Sequence, residues 1–358
     1  MKGRTGVPAG PWKVLHLLPE LEEGGVERHV LRLAREQRCR GLDAGVASAG
    51  GRLEAELTAS GVPHLRLPLR QKNPLTGALA VLRLARICRA EGWNLLHAHS
   101  RVPAWIAWWT SSLCGVPWVV TCHAPYSLNA GLAPYRHARG ALCVSGTVER
   151  ALSPRLPALR RVVWTGVEPS RVPRPFSRRP GPLRWLFVGR LTRIKGPDLL
   201  LEALSSLPRE GWTLSLAGDG PLRGELEALV RERNLGDRVA FLGYRDDVAA
   251  LTAEADLMLV PSRDEGMGLA AAEAAVAGCP LVLSDLPAFR ELFVPHPGLF
   301  VPPGRPGDWA QALRQALEGP ENLRTPSLLR DLSVGRWLEE TDSFYREIRG
   351  GHDHVLVG

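Results

Sequence analysis

The chain has 358 residues, which exceeds the usual size of a single hydrophobic core and predicts two domains. Apolar residues make up 45% of the sequence and charged residues 23%, a balance typical of a globular α/β protein. No uncharged apolar run is long enough to span a membrane, which argues against a transmembrane protein. The six cysteines show no CxxC pair and no regular spacing, so we expect reduced thiols in a cytoplasmic protein and no disulfide scaffold.

Charge is distributed unevenly along the chain. Residues 1–180 contain 26 Lys and Arg against 11 Asp and Glu, whereas residues 181–358 contain 19 against 26. A basic half predicts an anionic surface or substrate, such as nucleic acid, anionic lipid or a phosphorylated glycan. No recognised nucleic-acid-binding module accompanies the basic half, so we do not expect nucleic acid as a partner.

The first predicted strand, 13–18, leads through a glycine-containing loop into a helix from Val26 to about Cys39. Gly24 and Gly25 lie in this turn, where the missing side chains let a ligand approach the backbone and the helix start favours an anion.

Two predicted helices, 26–39 and 79–90, carry several arginines among apolar residues. Such helices are compatible with a solvated face on a core helix or with binding to an anionic membrane. Trp105, Trp108 and Trp109 form an aromatic cluster that is compatible with core packing, an interfacial anchor or an acceptor wall.

Two further strands, 93–99 and 117–123, end in histidines. Parallel sheets bind ligands at the carboxyl ends of their strands. Because His97 and His99 alternate, we expect one to point into the sheet packing and one towards the rim, and we take His97 as structural. His123 ends the second of these strands, and a lone histidine at such a position is more often a structural residue than a ligand contact.

The second half opens with a strand at 183–188, followed by Gly189, Arg190 and Lys195 before a helix that starts near Asp198. Arginine and lysine in one such loop can hold the same anion, the arginine in bidentate fashion. Two more strands end in glycines, at Gly218 and at Gly243 with Tyr244 after it.

The segment 256–284 predicts a βαβ unit: a short apolar strand, a glycine-containing loop, an alanine-rich helix and a second strand. Glu265 lies in the loop and Glu273 in the helix. An ionised carboxylate accepts hydrogen bonds only, so sugar hydroxyls are suitable partners for Glu273; a solvent-facing position is the alternative. The loop residues Gly266, Met267, Gly268 and Leu269 bring backbone N–H groups to the helix start.

Glu265 and Glu273, with their spacing, resemble the paired-glutamate signature of retaining, nucleotide-sugar-dependent glycosyltransferases of the GT-B architecture, family 4 type (glycosyltransferase group 1). The companion motifs follow in the same order as in that family: 24–28, 121–123, 188–196 and 218–221. One departure is Thr165, where the family usually has asparagine before the glycine.

The resemblance implies an α/β fold of two Rossmann-like doubly wound parallel-sheet domains facing a cleft. It places an acceptor-binding domain at 1–172, a linker at 173–182 and a nucleotide-sugar-binding domain at 183–334. A tail helix within 335–358 is expected to pack back on the first domain.

The resemblance also implies roles for individual residues. His123 lies by the donor sugar, Glu265 binds that sugar, Glu273 binds the ribose hydroxyls, and Arg190 and Lys195 face the diphosphate. The implied catalytic residues are His123, Arg190, Lys195 and Glu265. The implied donor-binding residues are Gly24, Gly25, Gly189, Arg190, Lys195, Gly218, Gly243, Tyr244, Glu265, Gly266, Met267, Gly268, Leu269 and Glu273.

The implied reaction transfers a sugar from a UDP- or GDP-sugar to a hydroxyl of a glycan or lipid-linked, anionic acceptor, with retention at the anomeric carbon. We expect this reaction in cell-envelope or lipopolysaccharide synthesis, with peripheral contact at the inner face of the cytoplasmic membrane. No Asp-x-Asp pair occurs, which favours a metal-independent enzyme without a cofactor. A nucleotide-sugar epimerase or hydrolase of the same fold is the alternative. A dinucleotide oxidoreductase is disfavoured because no G-x-G-x-x-G follows the first strand.

Overall fold

The computed structural model describes residues 11–22, 24–71, 73–168, 180–295, 298–319 and 326–350. These residues form two compact units: the first runs to Gly166 and resumes at Val334, and the second covers Val167–Ser333. Each unit contains one parallel sheet whose strands alternate with helices, which confirms the predicted fold class. Most of the predicted linker, 173–179, and the chain beyond Gly350 lie outside the described residues.

The sheet of the first unit has seven parallel strands in the order β3-β2-β1-β4-β5-β6-β7. The strands are β1 (Lys13–Leu17), β2 (Asp43–Ser48), β3 (His64–Arg66), β4 (Leu95–Ala98), β5 (Trp118–Cys122), β6 (Gly140–Cys143) and β7 (Arg160–Val162). The order reverses at β1, which pairs with β2 on one side and β4 on the other. This reversal is the topological switch point of a doubly wound sheet.

The sheet of the second unit repeats the arrangement with six parallel strands in the order β10-β9-β8-β11-β12-β13. The strands are β8 (Leu183–Val188), β9 (Trp212–Ala217), β10 (Val239–Gly243), β11 (Leu257–Val260), β12 (Leu281–Ser284) and β13 (Phe300–Val301). Here the switch point lies at β8, between β9 and β11.

The helices of the first unit are α1 (Gly25–Cys39), α2 (Glu54–Ala59), α3 (Pro74–Glu91), α4 (Arg101–Cys114), α5 (Gly146–Leu152) and α12 (Val334–Gly350). Those of the second unit are α6 (Pro197–Leu204), α7 (Arg223–Glu232), α8 (Val248–Glu254), α9 (Leu269–Val276), α10 (Pro287–Leu292) and α11 (Pro306–Glu318). The described residues also include four short 3-10 helices, at Ala130–Leu132, Tyr135–His137, Ser153–Arg155 and Arg193–Lys195.

Local sequence signals explain the bounds of α3, which begins earlier than the predicted start at Leu79. The Asn73 side chain accepts a hydrogen bond from the Leu75 N–H (2.9 Å), and Pro74 occupies the first helical position. Both are preferred helix-start features. The helix ends at Gly92, which has φ +74° and so adopts the left-handed cap conformation that glycine favours.

Two predicted segments differ from the structure. The segment 162–168, which resembles the closing strand of the first domain in the glycosyltransferase family, belongs to a strand only at Val162, the last residue of β7. The Val163 N–H still donates to the Cys143 carbonyl of β6 (2.9 Å), whereas the Val167 N–H donates to the Leu332 carbonyl (2.8 Å). The apolar run 298–302 predicts a short late strand, and the observed strand covers Phe300–Val301.

The tail helix α12 lies against the sheet of the first unit. Its Trp337, Phe344 and Tyr345 are buried together with Trp12 and Val14. The Trp12 indole N–H also donates to the Tyr345 carbonyl (3.1 Å). The core of the second unit includes Trp185 and Trp212, whose rings stack at 5.3 Å. Across the described residues, every helix is too short or too polar to cross a lipid bilayer.

Candidate functional site

The predicted donor-binding residues of the second unit lie at the carboxyl ends of four adjacent strands. Gly189 follows β8, Gly218 follows β9, Gly243 ends β10, and the loop 261–268 follows β11. Parallel strands present these ends at one edge of the sheet, and the loops after β8 and β11 flank the switch point. We call this edge the candidate donor site.

The two loops that flank the switch point are joined by their backbones. The Arg263 N–H donates to the Ile194 carbonyl (2.7 Å). Gly196 has φ +72°, and a side chain at this position would collide with the carbonyl oxygen of Pro261. Only glycine satisfies both the left-handed backbone and this close approach, so the glycine after Lys195 sets the spacing of the loops.

Lys195 and Glu265 form an ion pair across these loops, with Nζ and Oε1 2.6 Å apart. The Ser262 hydroxyl donates to the same carboxylate oxygen (2.8 Å). The Glu265 side chain is only 9% exposed, whereas that of Lys195 is 34% exposed. The carboxylate is therefore held in place by two donors, while the ammonium, which has three N–H donors, still reaches solvent.

A second ionic bridge supports the same loops, and the sequence did not reveal it. The Arg263 guanidinium donates to both oxygens of Asp198 (2.8 and 2.9 Å), at the start of α6. Arg193 donates to Asp198 as well, at 3.4 Å. Hydrogen bonding to Asp198 raises the pKa of the Arg263 guanidinium. The acid in the first turn of α6 was a visible signal, but its partner lies 65 residues away.

The start of α9 is open to an anion. Gly268 precedes the helix with φ +81° and has no side chain, so the first backbone N–H groups of α9 find no side-chain acceptor at that position. A side chain at Gly268 would collide with the Phe289 ring. Gly266 and Met267 are buried, Leu269 is half-buried as the first residue of α9, and Glu273 is half-buried one turn further along.

The remaining predicted donor residues border the same edge. The Gly218 N–H donates to the Gly243 carbonyl (2.7 Å), which joins the ends of β9 and β10. Tyr244 is half-buried directly after β10, and Arg190 is exposed directly after Gly189. The sheet thus brings every predicted donor residue of the second unit to one edge.

The glycine turn of the first unit is occupied by an acid of its own helix. Gly24 precedes α1 and has no side chain to cap it. The Glu27 carboxylate folds back against Gly24, where a side chain would collide with it. A negative group thus already lies at the positive end of α1, and an incoming anion at Gly24 and Gly25 would meet it.

Five histidines gather in the first unit and form what we call the histidine cluster: His16, His29, His97, His99 and His123. His97 hydrogen-bonds to the Tyr345 hydroxyl through Nδ1 (2.6 Å) and to the Thr121 hydroxyl through Nε2 (2.7 Å). The prediction that either His97 or His99 faces the rim is wrong, because both are fully buried. His99 instead hydrogen-bonds to His123, which is half-buried.

The cluster also explains the threonine that departs from the family pattern. Thr165 Oγ1 and His29 Nδ1 are hydrogen-bonded at 3.0 Å. The His29 ring meets the His123 ring edge-on, with centroids 4.7 Å apart. The sequence contained a signal for this network, since His16 and His29 flank the first βα turn, but no local pattern relates them to His99 or His123.

Burial keeps the histidine cluster neutral. Desolvation lowers the pKa of His16 to about 4 and that of His123 to about 3. It also lowers the pKa of His29, His97 and His99 well below the usual value. Mutual repulsion between imidazolium charges adds to these three shifts. Neutral imidazoles can each donate one hydrogen bond and accept another.

Comparison with known protein families follows the division into two units. The family described as Glycosyltransferase Family 4 matches residues 23–171, and the family described as Glycosyl transferases group 1 matches residues 173–327. The two matches adjoin, and together they cover most of the chain.

Two of the curated relatives match shorter parts of the chain. The alpha-D-kanosaminyltransferase of Streptomyces kanamyceticus is 34% identical over 141 residues, which is 38% of this chain and 36% of that protein. The O-antigen biosynthesis glycosyltransferase WclY of Escherichia coli is 37% identical over 103 residues, which is 29% of each chain. The chain therefore aligns with only 36% and 29% of the lengths of these two relatives.

A solved structure matches nearly the whole chain. The crystal structure of Anabaena HepE in complex with UDP and glucose has a TM-score of 0.75 at 21% identity, and the match covers 96% of this chain and 99% of that chain. At this identity the likeness is one of fold, and it agrees with the two Rossmann-like sheets. Two glycosyltransferase families thus match consecutive parts of the chain, and the two sheets have the GT-B fold.

Proposed function

We propose that the chain is a nucleotide-sugar-dependent glycosyltransferase that retains the configuration of the anomeric carbon. The observation that carries the proposal is the Lys195–Glu265 ion pair at the switch point of the second sheet, beside the open start of α9. This edge combines a positive field for a diphosphate with fixed carboxylates for sugar hydroxyls. UDP in the HepE structure supports a nucleotide diphosphate as the leaving group.

The diphosphate is the group whose charge grows as the sugar leaves. Lys195 keeps two N–H donors beyond the one that Glu265 accepts, and these can bind phosphate oxygens. Arg190 is exposed at the same edge, and the first N–H groups of α9 point along the positive end of the helix dipole. Fixed positive groups of this kind stabilise a leaving diphosphate without a metal ion.

The carboxylates have separate roles in this proposal. Glu273 accepts hydrogen bonds from the ribose hydroxyls, and Glu265 accepts them from the donor sugar. Lys195 and Ser262 hold Glu265 in one orientation before the donor arrives, which lowers the cost of ordering it. The neutral, half-buried His123 binds the sugar as a hydrogen-bonding group rather than as a cation.

The chemical step exchanges one bond at the anomeric carbon for another. The bond to the β-phosphate oxygen breaks, the acceptor hydroxyl oxygen bonds to the same face of the sugar, and the acceptor proton passes to the departing phosphate. Retention follows from this same-face attack, because the leaving group serves as the base.

A direct assay distinguishes transfer from the alternative of donor hydrolysis or epimerisation. The protein is incubated in EDTA with UDP- or GDP-sugars, with and without a lipid-linked glycan acceptor, and the nucleotide and sugar products are followed by NMR. We expect release of UDP or GDP that depends on the acceptor, and an α-linked product from an α-linked donor. Acceptor-independent release of free sugar, or a new sugar epimer, contradicts the proposal.

Binding can be tested before the acceptor is known. We expect UDP or GDP to raise the melting temperature in EDTA, and Glu273→Ala to weaken this effect because the ribose contacts are lost. The matched control is Glu254→Ala, at the end of α8 in the same unit. An equal shift in all three proteins contradicts the assignment of Glu273.

We further propose that the acceptor is lipid-linked and that the first unit meets an anionic membrane surface. Apolar side chains are exposed along α3 and at the end of α4: Leu75, Leu79, Leu82, Trp109 and Leu113. Arg86 and Arg89 line the groove between these helices together with Leu82 and Leu113. Cationic side chains can bind anionic lipid headgroups while neighbouring apolar side chains insert among the acyl chains. The O-antigen role of WclY supports a cell-envelope acceptor.

Vesicle sedimentation tests this surface. We expect binding to vesicles that contain phosphatidylglycerol, and little binding to pure phosphatidylcholine. Leu82→Asp, at a site 61% exposed, reduces binding, whereas Leu329→Asp, at a site 52% exposed in the second unit, leaves it unchanged. Equal binding by both variants contradicts the proposed membrane surface.

A further inference from the structure

Three histidines of the histidine cluster form an unbroken hydrogen-bonded row with Gln37 at its buried end. Gln37 Oε1 lies 2.8 Å from His16 Nε2. His16 Nδ1 lies 3.0 Å from His99 Nε2, and His99 Nδ1 lies 3.1 Å from His123 Nε2. Gln37, His16 and His99 are fully buried, and the row ends at the half-buried His123.

Neutral imidazoles can order such a row in only two ways. Each ring has one N–H donor and one lone-pair nitrogen, so the direction of one hydrogen bond sets the direction of the next. Burial keeps all three rings uncharged, because it lowers their pKa values. The proton position on His123 is therefore coupled to the group that terminates the row at Gln37.

The orientation of Gln37 selects one of the two directions. Its Oε1 is an acceptor and faces His16 Nε2, so His16 carries its proton on Nε2. His16 Nδ1 then accepts from His99 Nε2–H, and His99 Nδ1 accepts from His123 Nε2–H. His123 is left with a lone pair on Nδ1.

We propose that Gln37, His16 and His99 are positioning residues that fix the tautomer of His123, with the proton on Nε2 and the lone pair on Nδ1. The functional consequence rests on the proposed transferase activity, in which His123 meets the donor sugar. A sugar hydroxyl then donates to His123 Nδ1, and His123 acts as an acceptor over the whole neutral pH range.

Neighbouring contacts hold the row in place. His97 lies beside His99, with ring centroids 4.2 Å apart, but its own nitrogens bond to Tyr345 and Thr121. His29 bonds to Thr165 and packs its ring edge-on against His123. Rotation of His123 would break the bond to His99 and displace His29.

A metal ion is the competing explanation for clustered histidines. Two triplets place ligand nitrogens within 4.8 Å of one another: His16 with His97 and His99, and His29 with His99 and His123. In both triplets, nitrogens of the shared His99 already hydrogen-bond to His16 and His123. The bond lengths and the alternating order of the nitrogens favour the hydrogen-bonded row.

The test is a long-range 1H–15N correlation spectrum of the full chain labelled with 15N-histidine, recorded near pH 7.5 with and without EDTA. Protonated and lone-pair ring nitrogens have well-separated 15N shifts, and single histidine substitutions assign the signals. We expect Nε2–H on His16, His99 and His123, and no change with EDTA. An Nδ1–H or an averaged tautomer at His123, or a shift on adding EDTA, overturns the proposal.

Substitutions of Gln37 test the coupling. Gln37→Leu removes the acceptor, so we expect the His123 signals to move towards tautomer averaging and kcat/KM to fall roughly 10- to 100-fold. Gln37→Glu keeps an acceptor oxygen and should retain the tautomer, and Gln311→Leu on α11 should change neither quantity. A wild-type tautomer in Gln37→Leu overturns the proposal. If Gln37→Leu does not fold, the spectra of the wild-type protein and of Gln37→Glu still show whether His123 carries its proton on Nε2.

The spectra need no substrate, so they separate this inference from the proposed function. Absence of transfer activity with the predicted tautomers would reject the transferase assignment and leave the row intact. Transfer activity together with the opposite tautomer would reject the proposed role of the row and leave the transferase assignment intact.

Discussion

The candidate donor site and the histidine cluster lie at the ends of equivalent strands in two similar sheets, yet they hold their side chains by opposite means. At the donor site, charged groups compensate one another: Lys195 with Glu265, and Arg263 with Asp198. In the cluster, uncharged rings exchange hydrogen bonds and burial keeps them uncharged.

The difference follows from the solvent exposure of the two regions. A partly exposed ammonium can turn from a carboxylate towards a phosphate at modest cost, because water screens the intermediate positions. A buried network cannot change its charge without a large desolvation penalty, so it holds one arrangement. The comparison predicts that acid disrupts the first unit, whereas removal of charge disables the second.

A fall in pH should produce the largest difference in stability between the two units. The folded pKa values of the cluster are depressed, so the unfolded chain binds more protons below about pH 6.5. Stability is then lost as the pH falls, by roughly 1 kcal/mol per pH unit for each buried histidine and by several kcal/mol in total. Residues 167–333 contain a single histidine, His296. Hydrogen exchange at pH 5 and 7.5, corrected for intrinsic rates, should show lost protection in β1 and β4 but not in β8 and β9; equal losses contradict the assignment.

Removal of the lysine charge should abolish most activity while leaving the fold in place. Lys195→Ala removes one of the two cations proposed for the diphosphate and leaves Glu265 without its ion-pair partner, so we expect kcat/KM to fall about 100- to 1,000-fold. Steady-state transfer rates measure the effect, and Arg305→Ala, at an exposed site in the same unit, is the control. A loss below 10-fold, or an equal loss in both variants, would remove Lys195 from the proposed mechanism.

The close approach of the two donor-site loops can be tested at Gly196. Gly196→Ala combines a left-handed backbone with a collision against Pro261, and we expect it to lower the free energy of unfolding by about 3 kcal/mol. Gly304 has a similar φ, +74°, but open space around it, so Gly304→Ala should cost only about 1 kcal/mol. Urea denaturation monitored in the second unit gives both values. Equal costs would show that the loop spacing does not depend on this glycine.

The smallest predicted effect concerns the bridge beneath the donor site. Asp198→Asn removes the charge from an acceptor that serves Arg263 and Arg193, and we expect a loss of about 1–2 kcal/mol in the free energy of unfolding. Asp237 is exposed and pairs with its neighbour Arg238, so Asp237→Asn should change stability by less than about 0.5 kcal/mol. Chemical denaturation of both variants measures the two losses in stability. A larger loss for Asp237→Asn than for Asp198→Asn would contradict the role of Asp198.

Much of the fold follows from local sequence patterns. Apolar runs, glycine stops and helix-start residues act over a few residues, so the strands β8 and β11 and the helices α1 and α9 were predicted near their observed positions. The closing strand of the first sheet was misplaced because Val163–Val167 have the apolar, β-branched composition of a strand. The Val167 N–H instead donates to the Leu332 carbonyl, which is remote in the sequence and which no local pattern identifies.

The candidate donor site was predictable as a set of residues but not as a set of contacts. The motifs predicted Lys195 as a phosphate ligand and Glu265 as a sugar ligand, each independently of the other. Their ion pair spans 70 residues of sequence, and the Arg263–Asp198 bridge spans 65. Such pairs arise because the switch point of the sheet places two loops side by side.

By itself, the sequence determined the alternation of strands and helices, the two-domain α/β class and the positions that carry glycine, lysine and glutamate at strand ends, because these depend on short-range periodicity and backbone freedom. The tertiary structure alone decided which charges neutralise one another and which histidines stay neutral. Burial and hydrogen-bond partners are set by residues far apart in the chain, so His99, expected at the rim on alternation alone, lies inside a network that ends at His123.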